Sequence, residues 1–332
     1  MKSINAIGVD IGYGYTKVYS ERTSQIFPSQ VTKLRPRGAF GSLPKVIIVN
    51  NQPFVVGNEI DSLGDFSVSN EFVGTPEYLA LMGHALSLVK GSCDILVMGL
   101  PPGMYDEALI AKLEKAIFES RIRTSDGSSL PMPKAVRFIP QGAGIYYDYV
   151  NSLQQRSMQL PKTVVVVDLG SYTLDLVLYE DRRYITGAGK SFQLGISTLL
   201  KSIKAQFTKT HSTFLDNDES VLSLIREGRC TPFPGREYRL DVSPIVEEYI
   251  NEQVNKVVYN WVTTDLRRKS VNKVIIGGGG ASCIGQFMKN DAVVIVDDPQ
   301  MSNARGYYHF GRRQTEVLPA GDEKPEAIVR VA

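Results

Sequence analysis

The stretch VDIGYGYTKVYS, which begins at Val9, has a counterpart in VDLGSYTLDLVLYE, which begins at Val167 in the second half of the chain. In each stretch an apolar run ends in an aspartate, Asp10 or Asp168, a short turn of small residues follows, and a second alternating run begins. This pattern predicts a β-hairpin in each half. The repetition at half-chain spacing favours two similar halves.

The two predicted turns contain Gly12 and Gly14 in the first copy, and Gly170 and Ser171 in the second. Backbone N–H groups at such small residues can approach phosphate oxygens closely. The aspartates that precede the turns would repel a triphosphate unless a divalent cation lay between them. The pattern therefore predicts a nucleotide phosphate with Mg²⁺. A hairpin with glycine at its turn also occurs without any ligand, and it is the recurrence that favours the nucleotide.

Length and composition indicate an ordinary globular protein. The chain has 332 residues, of which 43% are hydrophobic and 22% charged, enough for two cores of about 150 residues each. Lys and Arg number 37 against 35 acidic residues, a net charge of +2. No broad basic field is available to hold nucleic acid by counterion release, so we expect no direct nucleic-acid binding.

The sequence also bears on location and metal chemistry. It has no apolar run near the length of a membrane span, and strand-like residues follow Met1 almost at once, so we expect no membrane contact and a cytoplasmic protein. Three cysteines and three histidines lack metal-ligand spacing, which disfavours a site of soft ligands. The odd number of cysteines fits a reducing compartment.

Periodicity predicts alternating strands and helices along the rest of the chain. An irregular insertion with a short meander is predicted over 31–72, and the polar segment 151–160 is the predicted domain boundary. A predicted strand at 273–276 runs into Gly277-Gly278-Gly279-Gly280, a loop that lets a flat or anionic group lie against the backbone. Helices are predicted from Pro76, at 105–118, 195–208, 219–227, 242–266 and 281–288, and strands at 95–100 and 135–139.

Five elements stand in order along the chain: Asp10 to Lys17, Pro140 to Gly144, Asp168 to Asp175, Gly277 to Ala281, and Asn303 to Gly306. This order resembles the phosphate 1, connect 1, phosphate 2, adenosine and connect 2 motifs of the actin, sugar kinase and heat-shock chaperone ATPase superfamily, over nearly the whole chain. DLGSYTLDLVL is similar to the DLGGGTFD loop of the chaperones, and the step from Asp10 to Lys17 is the one that actins use. The segments VDIGYGYTKV, FIPQGAGIYYDY and NARGYYHFG resemble the ParM/StbA-type and archaeal actin-like proteins more closely.

The resemblance implies an α/β fold of two actin-like, ribonuclease H-like domains, each a mixed five-stranded sheet flanked by helices, with nucleotide in the interdomain cleft. Domain I would span residues 1–155 and would be completed by a C-terminal helix at about 300–325. Domain II would span residues 156–299. The implied cofactors are ATP, or GTP in its place, and Mg²⁺.

The resemblance also implies roles for single residues. Asp10 and Asp168 would hold Mg²⁺ mainly through water, Lys17 would contact the β- and γ-phosphates, and Gln141 would position the attacking water. The glycines Gly277, Gly278, Gly279 and Gly280 would carry the adenine and ribose. The main chain of the two turns would surround the phosphates at Gly12, Tyr13, Gly14, Tyr15, Thr16, Gly170, Ser171, Tyr172 and Thr173.

Alternatives remain open for several of these residues. Lys17 can be a solvated surface charge, Gln141 can cap the start of a helix, and Asp175 can support its hairpin rather than contact ligand. Ser171 and Tyr172 replace glycines of the chaperone pattern, and Tyr172 would crowd the phosphates if its ring faced them.

Three functions fit this fold, which cannot decide among them by itself. The preferred one is a filament-forming ATPase that assembles with copies of itself, for plasmid or DNA segregation or cell organisation, with a separate DNA-binding adaptor as a further partner. A small-molecule kinase would need a general base in the first domain; the sequence offers no convincing candidate there, and Asp94 and Asp106, near the Gly103 loop, are the two that stay open. A regulatory ATPase that does not polymerise is the third.

Overall fold

The computed structural model describes residues 4–34, 45–60, 72–266, 270–288 and 291–314. These residues form two compact units. Unit 1 contains the chain up to Met158 and again from Asn303, and unit 2 contains Gln159–Ser302. The division falls between Met158 and Gln159, three residues after a helix that ends at Gln155.

Unit 1 is built on two sheets. Its strands are β1 (Ala6–Ile11), β2 (Tyr15–Ser20), β3 (Thr23–Pro28), β4 (Val31–Lys33), β5 (Val46–Val49), β6 (Gln52–Val56), β7 (Ile95–Leu100), β8 (Ile122–Thr124) and β9 (Ala135–Pro140). The larger sheet has the order β3-β2-β1-β7-β9, with β1 at its centre. β2 is antiparallel to β1, whereas β7 and β9 run parallel to it, so the sheet is mixed. The smaller sheet, β4-β6-β5-β8, is antiparallel.

The first helix of unit 1 is central to its core. α1 (Pro76–Ser87) begins after Thr75, whose side chain accepts a hydrogen bond from the Tyr78 N–H, and Pro76 suits the first helical position. Most of its side chains are buried, and it contacts β1, β2, β5 and β6. A helix that is apolar all round can be stable only when it is enclosed, and α1 lies among strands of both sheets. α2 (Glu107–Glu119), in contrast, buries only Leu113 and Ile117.

Two further helices of unit 1 cross at contact distance. In α3 (Ala143–Gln155), the carbonyl oxygen of Gly144 lies 1.7 Å from where a Cβ on Gly306 would be placed, so only glycine fits at this point. Gly306 belongs to the chain's last described helix, Ser302–Arg312. Near the crossing, Arg305 forms a two-pronged ion pair with the buried Asp148, at 2.6 Å for each bond.

Unit 2 repeats the mixed-sheet plan. Its strands are β10 (Thr163–Leu169), β11 (Leu174–Glu180), β12 (Arg183–Tyr184), β13 (Lys190–Phe192), β14 (Arg229–Phe233), β15 (Arg236–Arg239), β16 (Lys273–Gly277) and β17 (Val293–Ile295). The main sheet has the order β12-β11-β10-β16-β17, and β13 also pairs with β11. The edge of this sheet beside β11 is therefore formed by two short strands, β12 and β13, where the resemblance implied a single strand. The α/β fold class with mixed sheets is confirmed in both units.

The helices of unit 2 are α4 (Ile196–His211), α5 (Asp218–Glu227), α6 (Ser243–Glu248), α7 (Lys256–Asn260) and α8 (Gly279–Ile284); the helix at Ser302–Arg312 is α9. The helix predicted over 242–266 is continuous but changes its winding, because π-helical turns follow α6 at Tyr249–Asn255 and α7 at Trp261–Asp265. The β14–β15 hairpin is a feature that the sequence analysis did not predict. α9 ends at Arg312, and the predicted extension of this helix to about 325 lies outside the described residues from 315 onward.

Among the described residues, no helix combines the length and the apolar character needed to cross a membrane. Cys93 and Cys230 are buried and Cys283 is partly buried, and none of them forms a disulfide. Burial raises the pKa of the Cys93 thiol to about 12, so this side chain behaves as a small hydrophobic group.

The close crossing of α3 and α9 predicts that adding one methyl group at Gly306 lowers the stability of the protein. Gly306→Ala would place Cβ against the Gly144 carbonyl, and because backbone rather than a flexible side chain is in the way, the helices must move apart. We expect a loss of about 1–3 kcal/mol in the free energy of unfolding, measured by denaturant titration.

Gly285→Ala is the matched control, since the nearest atom to its Cβ is a side-chain atom of Ile295 at 3.4 Å. We expect this variant to stay within about 0.5 kcal/mol of the parent protein. Equal stability of the two variants would contradict the close crossing.

Candidate functional site

The first hairpin places its predicted residues at the end of the central strand of unit 1. β1 and β2 pair so that Asp10 lies opposite Lys17. The turn between them is closed by the N–H of Gly12, which donates to the carbonyl of Tyr15 at 3.2 Å. The carbonyl of Gly14 accepts from the N–H of Ser29 at 3.0 Å, so the turn is also held from β3's side.

Asp10 and Lys17 form a buried ion pair. The Lys17 Nζ lies 2.9 Å from Asp10 Oδ2, and the side chains are 11% and 5% exposed. On the other carboxylate oxygen, Gln141 Nε2 lies 3.5 Å from Asp10 Oδ1, at the limit of a hydrogen bond. The structure thus brings three of the predicted residues together, and Lys17 is not the solvated surface charge that the alternative described.

The backbone around Gln141 is fixed on both sides. Its N–H donates to the carbonyl of Leu100 at 2.7 Å. Gly142 follows with a φ of +85°, a conformation that glycine adopts without strain, and its N–H donates to Asn303 Oδ1 at 3.2 Å. The side chain of Gln141 does not cap α3, because that helix has no side-chain cap bond. Asn303 is a site-supporting residue that the predicted site did not include.

The other residues of the first turn have different surroundings. The Thr16 hydroxyl is buried and shares a hydrogen bond of 2.8 Å with the Ser29 hydroxyl, so its side chain is used inside the fold. Tyr15 is 46% exposed, and Tyr13 and Gly14 are partly buried in the turn. The Thr16 side chain is therefore not available to a ligand, and its main chain lies inside the sheet between β1 and β3.

The second hairpin repeats the geometry of the first with one change of charge. β10 and β11 pair so that Asp168 lies opposite Asp175, and both carboxylates are buried. The N–H of Gly170 donates to the carbonyl of Thr173 at 2.9 Å, which is the counterpart of the bond from Gly12 to Tyr15. The Thr173 hydroxyl donates to Asp175 Oδ2 at 3.0 Å, so Asp175 does support its hairpin. Where the first hairpin has Lys17, the second has a carboxylate.

The start of α4 fixes the second turn. The N–H groups of Ile196 and Ser197 donate to the carbonyls of Gly170 and Ser171, at 3.0 and 2.9 Å. Gly195 allows this approach, because a Cβ there would lie 2.4 Å from the Ser171 carbonyl oxygen. Tyr172 is 56% exposed at the tip of the turn, so its ring is not enclosed by the residues of unit 2.

The glycine cluster after β16 lies against the second hairpin. Gly277 is paired with Asp168. A Cβ on Gly278, whose φ is +88°, would lie 2.4 Å from Asp168 Oδ1, and one on Gly280 would lie 2.6 Å from Leu169 Cγ. Packing against β10 therefore accounts for these two glycines. It does not account for Gly279, whose closest neighbour is the Gln300 side chain at 3.8 Å.

The donor set fits Mg²⁺ bound partly by a substrate. Among the described residues, no group of three or more His, Cys, Asp or Glu side chains could hold a metal ion. Mg²⁺ commonly uses one or two carboxylates and completes its octahedron with water and phosphate oxygens. Asp168, with Asp175 opposite it, supplies hard oxygen ligands of this kind, whereas Asp10 already has a cationic partner in Lys17.

The sequence analysis did not include Tyr78, which lies near Asp10, among the predicted site residues. Tyr78, in the first turn of α1, is 2% exposed, and within the described part of the chain its hydroxyl has no hydrogen-bond partner. Burial, and then the charge of Asp10, raise the pKa of its phenol. A helix-start signal precedes it in Thr75 and Pro76, but no local pattern indicates that its hydroxyl is near a carboxylate.

The two residues considered as kinase bases have structural roles. Asp94 accepts a hydrogen bond from the Asn5 N–H at 2.9 Å and pairs with Lys134 at 2.6 Å. Asp106 is the N-cap of α2 and accepts from the Leu109 N–H at 3.0 Å. Neither arrangement presents a carboxylate as a general base.

A cavity of about 240 Å³ in unit 1 does not include the turn of either hairpin. It is lined by the beginning of β1, the turn after β2, the segment that follows α1, and residues of α9. Because Asp10 lies at the other end of β1, the cavity and the predicted phosphate turn are at opposite ends of one strand.

Two family models match the chain. The model of the actin-like proteins' N-terminal domain matches residues 8–144, and the model of the archaeal actin homologue MreB-like C-terminal domain matches residues 166–290. No curated protein sequence matches the chain.

Solved structures with the same fold cover nearly all of the chain. The archaeal actin homolog Ta0583 is 21% identical with a TM-score of 0.75, over 93% of this chain and 99% of that one. Its complex with ADP is 22% identical with a TM-score of 0.73, over 94% and 100%. A 15-stranded ParM filament from Clostridium botulinum is 22% identical with a TM-score of 0.71, also over 94% and 100%. At these identities the likeness demonstrates a shared fold.

The unpartnered hydroxyl of Tyr78 predicts an unusual response to its removal. A buried hydroxyl without a partner costs stability, so we expect Tyr78→Phe to leave the free energy of unfolding unchanged or to raise it by about 1 kcal/mol. Denaturant unfolding measures this difference.

Tyr105→Phe is the control, because the Tyr105 hydroxyl donates to the Phe138 carbonyl at 3.2 Å. We expect the control to lose about 1 kcal/mol. A loss of that size in Tyr78→Phe as well would mean that the Tyr78 hydroxyl has a partner.

Proposed function

We propose, from the premise that this chain belongs to the actin-like proteins, that it binds and hydrolyses ATP with Mg²⁺ and assembles into filaments of its own copies. The observation that carries the nucleotide part of the proposal is the repeated hairpin. In each unit a buried aspartate is the last-but-one residue of the central strand, and the N–H of a glycine two residues later closes the turn. Such turns expose further backbone N–H groups to an anion.

Each hairpin offers candidate phosphate contacts within its own unit. In unit 1, Lys17 would supply a point charge and the turn from Gly12 to Tyr15 would supply main-chain donors. In unit 2, the turn from Gly170 to Thr173 would do the same; the carbonyls of Gly170 and Ser171 already accept hydrogen bonds from α4, and the Gly170 N–H closes the turn. GTP in place of ATP would use the same contacts, since these groups recognise phosphate.

When bound, Mg²⁺ would neutralise charge on the phosphates and stabilise the charge that develops during their transfer. Asp168 would orient water molecules that are bound to this Mg²⁺. Asp10 would mainly hold the ammonium group of Lys17, with which it forms a direct ion pair. The glycines from Gly277 to Gly280 would carry the base and ribose, and no protein contact requires the small size of Gly279.

Gln141 is proposed to align the attacking water. An amide cannot remove a proton at neutral pH, so its contribution is alignment, which requires a fixed side chain. The hydrogen bond of its backbone to Leu100 and the proximity of its amide to Asp10 provide that restraint.

Filament assembly is supported by the relatives rather than by a site. The ADP complex of the archaeal homolog and the ParM filament bear on ligand and assembly in those proteins, and we extend both to this chain. With a net charge of +2, the chain lacks a basic field for DNA. We therefore propose that a cytoplasmic filament would reach DNA, in plasmid segregation or a related task, through a separate adaptor.

Assembly tests the proposal most directly. We expect light scattering and pelleting of the protein to rise with Mg-ATP and to remain low with ADP or without nucleotide, because ATP favours the contacts between subunits. Asp168→Asn is the matched variant, since it keeps the size of a side chain that packs against Gly278 and removes its charge; we expect it to lose nucleotide-dependent assembly. Scattering that is independent of nucleotide would contradict the proposal.

Hydrolysis tests the role of Gln141. We expect Gln141→Ala to slow phosphate release by about 100-fold while nucleotide affinity stays the same, because alignment acts only on the reacting water. Filaments of this variant should persist longer. Gln155→Ala, at the exposed end of α3, serves as the control. Normal phosphate release from Gln141→Ala would remove this residue from the proposed chemistry.

A further inference from the structure

The position of Lys17 gives its ammonium group two possible partners. It pairs with Asp10 at 2.9 Å, inside the protein. It also lies beneath the first turn, because a Cβ built on Gly12 would be 3.2 Å from Lys17 Nζ. The proposed phosphate-binding N–H groups belong to this same turn. A small movement of the flexible Lys17 side chain would therefore let its ammonium group exchange the carboxylate of Asp10 for a phosphate.

The cost of breaking the pair decides when that movement can occur. A buried carboxylate left without a cation is strongly destabilised. Among the contacts of Asp10, Lys17 supplies the positive charge and Gln141 supplies only an amide. Lys17 can therefore turn to a phosphate only when a different cation takes over the charge of Asp10.

Free and metal-bound nucleotides differ in this respect. A metal-free nucleotide brings only negative charge, so it must compete with Asp10 for Lys17. A nucleotide that carries Mg²⁺ brings a replacement cation along with its phosphates. The exchange of partners is then balanced in charge.

We propose that the Asp10–Lys17 pair makes the site selective for the metal-bound nucleotide over the free nucleotide. Asp10 is thereby a positioning residue that withholds Lys17 until a cation arrives. This inference rests on the proposed function and refines it, since the family resemblance treats Asp10 and Asp168 as equivalent. In the second hairpin, the residue opposite Asp168 is Asp175 rather than a lysine.

A double-mutant cycle separates this role from simple repulsion. ADP binding would be measured by calorimetry in Mg²⁺ and in EDTA for the full chain and for Asp10→Asn, Lys17→Met and the double variant. We expect Asp10→Asn to raise the affinity for metal-free ADP by about tenfold, because Lys17 is released. In the Lys17→Met background the same change should have little effect.

Other results would overturn the inference. If Asp10 only repels phosphate, Asp10→Asn will raise metal-free affinity by the same factor in both backgrounds. If Asp10 only binds the metal, the variant will lose affinity for Mg-ADP and leave metal-free binding unchanged. Should the parent protein bind no ADP under either condition, the proposed function itself fails, and this outcome is distinct from an additive cycle.

Two further variants serve as a substitute and as a control. Lys17→Gln replaces Lys17→Met if the latter does not fold, since its amide still donates a hydrogen bond to Asp10 without carrying charge. Glu21→Gln removes one negative charge from the exposed turn after β2 in the same unit. We expect it to bind ADP as the parent protein does.

Discussion

A carboxylate buried at the end of a central strand is the constraint around which each unit is organised. Asp10 and Asp168 are the last-but-one residues of β1 and β10, and each of these strands is third in a five-position sheet order. Such a group needs hydrogen bonds or a cation, because its charge is poorly solvated there. Unit 1 meets this need with Lys17. Unit 2 places a second carboxylate at the equivalent position, so the two hairpins share a backbone but differ in electrostatics.

Glycines maintain this arrangement mainly through packing. Gly195 lets α4 reach the second turn, Gly278 lets the loop after β16 reach Asp168, and Gly306 lets α9 cross α3 at contact distance. In each case a Cβ would overlap backbone or a carboxylate oxygen, which a side-chain rotation cannot relieve. The glycine cluster that resembles an adenosine motif is thus partly a structural requirement, since Gly278 and Gly280 pack against β10, whereas no close neighbour demands the small size of Gly279.

The chemistry that this organisation supports is alignment rather than strong acid–base catalysis. Gln141 is restrained by its backbone and by Asp10, and the carboxylates considered as kinase bases are committed to an ion pair and a helix cap. A site of this kind suits hydrolysis that depends on the position of water and on the neutralisation of phosphate charge. In the proposed site, the Asp10–Lys17 pair would distinguish nucleotides by their metal.

The sequence by itself determined the two hairpins, the α/β class and most helices, because small-residue turns and apolar periodicity are local signals. It also indicated Asp10, Lys17 and Gln141 through their order. Only the tertiary structure decided that Lys17 pairs with Asp10, that Asn303 supports the residue after Gln141, and that the Tyr78 hydroxyl is buried near Asp10. These contacts join residues distant in the chain or on opposite strands, and their partners are chosen by strand register and helix packing, which no local pattern encodes.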